Sequence, residues 1–164
     1  MKNPPNLIML SGSLRKDSWN KKIAKLAKNR AEEMGAKARF IDLADYSMPL
    51  FNEDIEQQGS PEALLRLREE FSGAVGLFIA SPEYNGSFSA ALKNTLDWLS
   101  RPADNQETSI FNQLTVALGA TSPGALGGIR GLSQLRELMN NLGSIVLPQQ
   151  LAIGSGYEAF SEQG

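Results

Sequence analysis

The sequence predicts an α/β fold, a doubly wound parallel sheet of five strands with helices on both faces. Short apolar runs alternate along the chain with segments whose apolar residues recur every three or four positions. That alternation is typical of repeated strand–helix units joined by right-handed crossovers. The chain has 164 residues, the length of one ordinary domain. Because no repeat, low-complexity tract or linker divides it, we expect residues 1–164 to form a single domain.

The five predicted strands are apolar runs bounded by turn-forming residues, as expected for strands covered on both faces. The third run carries no charge, which favours a place at the centre of the sheet. Pro148 lies in the fifth run and cannot donate a ladder hydrogen bond, so we expect that strand at an edge. The predicted strands cover residues 6–10, 38–43, 74–80, 114–118 and 145–153.

The predicted helices carry their own start and stop signals. Ser60 and Pro61 are interpreted as the N-cap and first-turn proline of the second helix, and Gly35 and Gly143 as the ends of the first and fourth. The helices cover about 20–34, 60–71, 90–99 and 132–142. We expect buried faces through Ile23, Ala27 and Met34 and through Leu64, Leu67 and Phe71, with Trp98 and Leu99 in the core or at a subunit interface.

Two stretches interrupt the alternation. Residues 44–59 are rich in Pro, Asn and Asp and are expected to be irregular, while 154–164 are too short and glycine-rich for a helix that would cover the sheet. Arg101 is expected to be a solvated charge or an intersubunit partner. Four acidic residues could suggest a metal cluster, but their spread over a loop favours solvation and turn capping. They are Asp42, Asp45, Glu53 and Asp54.

The composition excludes several kinds of chemistry. The chain contains no cysteine and no histidine, which removes thiol nucleophiles, Ser-His-Asp triads and the usual zinc or haem sites. An enzyme of this composition would rely on a bound organic cofactor. A net charge of −2 gives no reason to expect nucleic acid or anionic lipid as a partner. The apolar run near the N-terminus is too short for a signal peptide or a membrane span, so the expected location is cytoplasmic.

The loop at residues 11–20, after the first predicted strand, has the composition of a phosphate site. Hydroxyls, an amide and two cations precede a helix N-terminus, where backbone N–H groups and the helix dipole favour an anion. Arg15 can add a charge-assisted contact to phosphate oxygens. The alternative is an ordinary capped turn, with Ser18 or Asn20 as the N-cap and Arg15 in solvent. Neither a Gly-x-Gly-x-x-Gly pattern nor a P-loop is present, which disfavours tightly held NAD or ATP.

Two further loops leave predicted strands in the same direction. Residues 81–87 contain turn formers and Tyr84, which offers a flat face to a planar ring, and the glycines of 121–128 let a backbone approach a ligand closely. Either loop alone could be a simple tight turn. Because the carboxyl ends of parallel strands share one edge of the sheet, all three loops are expected to line one crevice.

Two motifs closely resemble those of the NADPH-dependent FMN reductase family. They are Gly12-Ser13-Leu14-Arg15-Lys16-Asp17-Ser18-Trp19-Asn20 and Ser81-Pro82-Glu83-Tyr84-Asn85-Gly86. The resemblance covers essentially the whole chain, including Leu92-Lys93-Asn94, Asp97-Trp98 and Ser100-Arg101-Pro102. It implies a flavodoxin-like sheet of order 2-1-3-4-5 and a homodimer or homotetramer.

The resemblance also implies a cofactor, a reaction and site residues. FMN would take hydride at N5 from NADPH or NADH and pass electrons by a ping-pong route to a quinone, flavin, metal oxyanion or azo compound, and no residue is assigned as catalytic. One alternative is a flavodoxin-like electron carrier that binds FMN without oxidising a nicotinamide. Another is that the crevice binds a different phosphorylated ligand, or has lost flavin and serves as a binding module. The implied FMN-binding residues are Ser11, Ser13, Arg15, Ser18, Trp19 and Asn20, then Pro82, Glu83, Tyr84, Asn85 and Gly86, and finally Ser122, Gly124 and Gly128.

Overall fold

The computed structural model describes residues 3–102 and 109–160. Five of its strands are parallel, and two short ones form a separate antiparallel hairpin. The strands are β1 (Asn6–Ser11), β2 (Lys37–Asp42), β3 (Gly76–Ala80), β4 (Glu83–Tyr84), β5 (Ser87–Phe88), β6 (Thr115–Thr121) and β7 (Ile145–Ile153). The parallel sheet has the order β2-β1-β3-β6-β7, and β4 pairs with β5. This is the predicted order 2-1-3-4-5, with the uncharged third run at the centre.

The strand boundaries differ from the prediction where side chains are small. β6 continues three residues beyond 118, because Gly119, Ala120 and Thr121 still pair with β7. A methyl group on Gly119 would lie 2.7 Å from the Phe78 ring, so a small residue is required there although it gives no strand signal. β3 begins at Gly76 rather than at 74, since the Ala74 N–H bonds back to the Phe71 carbonyl in the preceding turn.

β7 is an edge strand, as Pro148 predicts. The register with β6 shifts between Val116 and Leu118, which pair with Val146 and Gln150. Pro148 lies in the bulged part of β7, where no ladder hydrogen bond is needed from it.

Within the described residues, four longer helices flank the sheet, and three short turns of helix lie in the connections and near the end of the described chain. The longer helices are α1 (Trp19–Glu33), α3 (Glu62–Glu70), α4 (Ala90–Ser100) and α5 (Ile129–Asn141). The short ones are a 3-10 turn (Leu43–Asp45), α2 (Glu53–Glu56) and α6 (Gly156–Ala159). Residues 44–59, expected to be irregular, therefore contain helical turns, and the described part of 154–164 contains only the four-residue α6. The Asp42 and Asn52 side chains cap the 3-10 turn and α2, by accepting bonds from the Ala44 and Asp54 N–H groups, respectively. Residues 161–164 of the tail lie outside the described residues.

Two predictions about helix ends are wrong. Ser60 is not the N-cap of α3; Pro61 occupies that position, and its carbonyl accepts bonds from the Leu64 and Leu65 N–H groups. Met34 does not face inward and is 87% exposed. It follows the last residue of α1 with non-helical backbone angles, so the helical spacing that relates it to Ile23 no longer applies.

The core lies mainly on the α3–α4–α5 side of the sheet, with a smaller cluster beneath α1. Trp98 and Leu99 are fully buried in the larger cluster, which places them in the core of this chain. The Trp98 indole N–H donates to the Pro49 carbonyl at 2.9 Å. Arg101 pairs within the chain, because its Nε lies 2.7 Å from Glu56 Oε1, and this contact raises the pKa of Arg101.

Beside α1 the sheet carries an apolar groove of about 300 Å³. It is lined by Met9, Phe78, Ala117 and Leu147 among others, and Ala27 of α1 forms one wall. Among the helices of the described ranges, none has the length and apolar character needed to cross a bilayer.

Candidate active site

Three loops meet where β1, β3 and β6 end. The Gly12 N–H donates to the Ala80 carbonyl and the Ser81 N–H donates to the Gly119 carbonyl, both at 2.9 Å, so the loop starts are joined by backbone bonds. They enclose a cleft of about 170 Å³ that opens beside a second cavity of about 560 Å³. The two cavities share Glu83 and Ser122 in their linings.

Most of the predicted site residues line these cavities. The cleft is lined by Ser13, Arg15, Ser18, Trp19, Asn20, Pro82, Glu83, Tyr84 and Ser122, and the second cavity adds Asn85, Gly86 and Gly124. Ser11 and Gly128 lie behind this surface. The buried Ser11 hydroxyl accepts a bond from the Ser13 N–H, and Gly128 holds a positive φ of 89° at the N-cap of α5, packed against Ala120.

The first loop presents hydroxyls around the N-terminus of α1. Ser18 occupies the N-cap position, but its side chain makes no capping bond to the helix. The buried Ser13 hydroxyl accepts from the Arg15 N–H at 3.3 Å, and the Arg15 guanidinium donates to the Asp17 carbonyl at 2.9 Å. This helix end therefore offers donors to an anion and has no acidic residue in its first turn.

Asn20 has a structural role that its sequence position does not reveal. Its amide donates to the Thr121 carbonyl at 3.2 Å and accepts from the Thr121 N–H at 3.0 Å. The residue is 4% exposed. Asn20 thus joins the start of α1 to the end of β6, and one amide hydrogen is left for a ligand.

The second loop folds as the β4–β5 hairpin. Asn85 and Gly86 connect its strands with φ values of 52° and 79°, the left-handed conformations of a type I′ turn. Tyr84 remains about half exposed at the cleft. The predicted loop is therefore a defined hairpin that presents Tyr84 and the turn backbone to the two cavities.

Glu83 points its carboxylate at the N-terminus of α5. Both of its oxygens accept bonds, from the Arg130 and Gly131 backbone N–H groups and from the Arg130 guanidinium, at 2.6 to 3.1 Å. Burial alone would raise the pKa of Glu83, but the bonds from Gly131 and Arg130 outweigh it and lower the pKa below its usual value. The carboxylate is ionised and serves as a remote cap for α5.

Thr121 and Pro123 of the third predicted loop also line the cleft, although neither was named as an FMN-binding residue, and Tyr157 was not predicted. The Tyr157 and Trp19 rings meet edge to face, with centroids 4.7 Å apart. A methyl group on Gly156 would lie 2.8 Å from the Trp19 ring, so the glycine allows this close approach. Tyr157 follows β7 at the same edge of the sheet, so the rule that identified the other loops could have found it.

The fold, with its cleft where β1, β3 and β6 end, defines a flavodoxin-like protein. Such a sheet is shared with, among others, a flavodoxin of Pseudomonas aeruginosa, at a TM-score of 0.58 and 15% identity, a likeness of fold alone. The family follows from sequence: the profile of the NADPH-dependent FMN reductases matches residues 5–158, and the chain belongs to this family. It is accordingly an oxidoreductase.

Individual relatives agree with the family. The chain is 35% identical over 166 residues to an NAD(P)H-dependent FMN reductase of Pseudomonas aeruginosa, covering 100% of this chain and 85% of the relative. It is 31% identical to a quinone reductase of Pseudomonas putida, covering 97% and 83%. Among solved structures, the flavoenzyme NAD(P)H:(acceptor) oxidoreductase FerB of Paracoccus denitrificans superposes with a TM-score of 0.77 at 27% identity, covering 97% of this chain and 81% of that one.

Proposed function

We propose that this chain is an FMN-dependent NAD(P)H oxidoreductase that passes electrons by a ping-pong route to a small acceptor of the quinone type. Free flavin, a metal oxyanion and an azo compound are the further acceptors to be tested. The proposal rests on family membership and on one observation at the site, namely which helix end is left open for a phosphate.

Three helices begin at the carboxyl edge after β1, β3 and β6. The Ser89 hydroxyl caps α4 by accepting from the Leu92 N–H at 3.1 Å, and the Glu83 carboxylate fills the end of α5. At α1 the Ser18 hydroxyl makes no cap bond, and Ser18, Trp19 and Asn20 line the cleft. The phosphate of FMN would fit there because this helix end has no side-chain cap and Arg15 lines the same cleft.

The remaining parts of the cleft fit the rest of the cofactor. Ser13 and Arg15 would complete the phosphate contacts, with the Arg15 guanidinium exchanging the Asp17 carbonyl for a phosphate oxygen. The turn of the β4–β5 hairpin and Tyr84 would border the flavin ring, while Trp19 and Tyr157 form an aromatic wall.

When bound, FMN supplies a ring that accepts hydride from a nicotinamide and later gives electrons to an acceptor. The residues of the chain bind and orient this ring, and the second cavity of about 560 Å³ leaves room for a second planar molecule. No acid or base is required from the protein, in keeping with a chain that has neither His nor Cys.

The deciding measurement is an anaerobic absorption spectrum of the FMN-loaded chain, before and after a small excess of NADPH, with NADH in parallel. Rapid bleaching of the flavin band is expected. A flavin that stays oxidised would replace this proposal with an electron carrier, and a chain that does not retain FMN would refute both. Parallel double-reciprocal plots with NADPH and a benzoquinone would support the ping-pong order, whereas intersecting plots would refute it.

The proposal includes a homodimer or homotetramer and a cytoplasmic location. Light scattering of the purified chain and fractionation of cells that express it are the corresponding measurements.

A further inference from the structure

The β4–β5 hairpin is fastened to α5 by side chains that point in opposite directions. Glu83 of β4 reaches the first turn of α5, as described above. From the helix, Gln134 reaches back: its Nε2 donates to the Gly86 carbonyl, and its Oε1 accepts from the Ser87 hydroxyl, each at 2.7 Å. These contacts of Glu83 and Gln134 are called the clasp.

Close packing reinforces the clasp. A methyl group on Gly131 would lie 3.2 to 3.3 Å from backbone atoms of Ser87 and Phe88, so α5 approaches the hairpin backbone directly. Within the described ranges, the clasp provides all the side-chain hydrogen bonds between the hairpin and α5.

The Glu83 carboxylate is only 7% exposed and adjoins a cleft that is to hold an anion. An unpaired carboxylate there would repel a phosphorylated ligand and be costly to bury. Its two oxygens are instead used by four donors of Arg130 and Gly131, so the acid is balanced by α5 and not by the ligand. The Arg130 guanidinium, bound to Glu83, lines the second cavity.

We propose that Glu83 and Gln134 are positioning residues for the flavin ring, acting through the hairpin and not by touching the cofactor with their side chains. The clasp fixes the turn at Asn85 and Gly86, whose backbone borders the second cavity. The inference rests on the proposed function. It distinguishes two halves of the site, a phosphate half at α1 and a ring half held by α5.

The two halves predict different responses to the phosphate of the ligand. A loosened hairpin weakens ring contacts that FMN and riboflavin share, so both ligands should lose affinity by the same factor. Loss of a phosphate contact affects FMN only. The ratio of the two dissociation constants therefore reports which half a residue serves.

The experiment titrates FMN and riboflavin into the full apo chain and follows quenching of flavin fluorescence. Gln134→Ala removes one side of the clasp without changing charge, and Glu83→Gln weakens the other. Each variant is expected to raise the dissociation constants of both flavins about tenfold, because one or two hydrogen bonds are lost. The ratio of the FMN constant to the riboflavin constant should not change. The residual fluorescence of the saturated complexes should rise, because a less firmly held ring is less quenched. Arg15→Ala is the contrasting variant and should weaken FMN alone.

Glu70→Gln is the matched control, since Glu70 forms an ion pair with Arg39 at 3.3 Å outside both cavities, and it should leave both affinities unchanged. Affinities within twofold of the parent in both clasp variants would overturn the inference. So would a loss confined to FMN, or an equal loss in Glu70→Gln. If the parent chain binds neither flavin, the proposed function fails and the inference fails with it; a flavin-binding parent with insensitive clasp variants refutes the inference alone.

Discussion

Replacing Asn20 by alanine tests whether this residue is first a structural bridge and only second a ligand for phosphate. The variant removes two buried hydrogen bonds, at 3.2 and 3.0 Å, and leaves the Thr121 carbonyl and N–H without the partner that α1 supplies. Each buried group left unsatisfied costs about 1–3 kcal/mol. Alanine recovers roughly 0.5 kcal/mol through its higher helix propensity.

With about 1.5 kcal/mol for each of the two groups, the net loss expected in the free energy of unfolding is about 2.5 kcal/mol. For a chain of this length that corresponds to a fall in Tm of roughly 5–10 °C. The assay is thermal unfolding of the apo protein, followed by circular dichroism, in the absence of any flavin.

The matched control is Asn29→Ala, because Asn29 is an exposed residue of the same type on the same helix. It should leave Tm unchanged or raise it slightly. Ser18→Ala forms a second contrast: Ser18 makes no cap bond, so its loss should weaken FMN binding while changing apo stability little. If Asn20→Ala lowers the apo Tm by less than about 2 °C, the bridge contributes little and the reasoning from its buried bonds is wrong.

Three further predictions follow from the site and the core. Arg15→Ala should raise the Kd for FMN about tenfold to a hundredfold in an equilibrium titration. Lys16→Ala, which removes a cation outside the cleft lining, should change this Kd less than threefold. Equal effects of the two substitutions would indicate a general effect of charge and not a contact of Arg15. Trp98→Ala should cost about 3–5 kcal/mol in urea unfolding, because a fully buried ring and its bond to Pro49 are lost, and a cost below ~1 kcal/mol would contradict this packing. The pKa of Glu83 is lowered in the folded state, so the stability that its ionised carboxylate contributes is fully present above the unfolded pKa of about 4.3 and is lost as the pH falls through the folded pKa. The difference in unfolding free energy between the parent and Glu83→Gln should therefore shrink in that acidic range. A difference that stays constant with pH would refute the ionised cap.

The fold class and the place of the cleft could be predicted because both depend on local patterns, whereas the full strand order came from the family resemblance. Apolar runs, helical periodicity and glycine stops each act over a few residues, and their alternation leaves few topologies. The boundaries were less accurate where a strand continues through Gly119–Thr121. Small residues there carry no hydropathy signal, and their pairing with β7 depends on a segment some thirty residues further along the chain.

The partners of individual site residues could not be predicted, because they are distant in sequence. Asn20 and Thr121 are separated by 101 positions, and Glu83 and Arg130 by 47. Each of these side chains has the right chemistry for a phosphate or ribityl contact, so local reasoning assigns it to the ligand. The structure shows that Asn20 uses one amide donor and its amide oxygen to bind Thr121. All four hydrogen bonds of the Glu83 side chain are made with α5.

These two assignments together explain how a cleft for an anionic cofactor accommodates a conspicuous acid. Helix N-termini after β1 and β6 carry similar partial positive charge, and both could attract the same phosphate. Glu83 supplies a permanent anion to the second, and the absence of a side-chain cap at Ser18 leaves the first open. Exchanging these roles would require an acid in the first turn of α1 and a neutral residue at Glu83. A chain so altered should lose phosphate selectivity at α1. The orientation of the bound cofactor therefore depends on which of the two helix N-termini is already capped by a side chain.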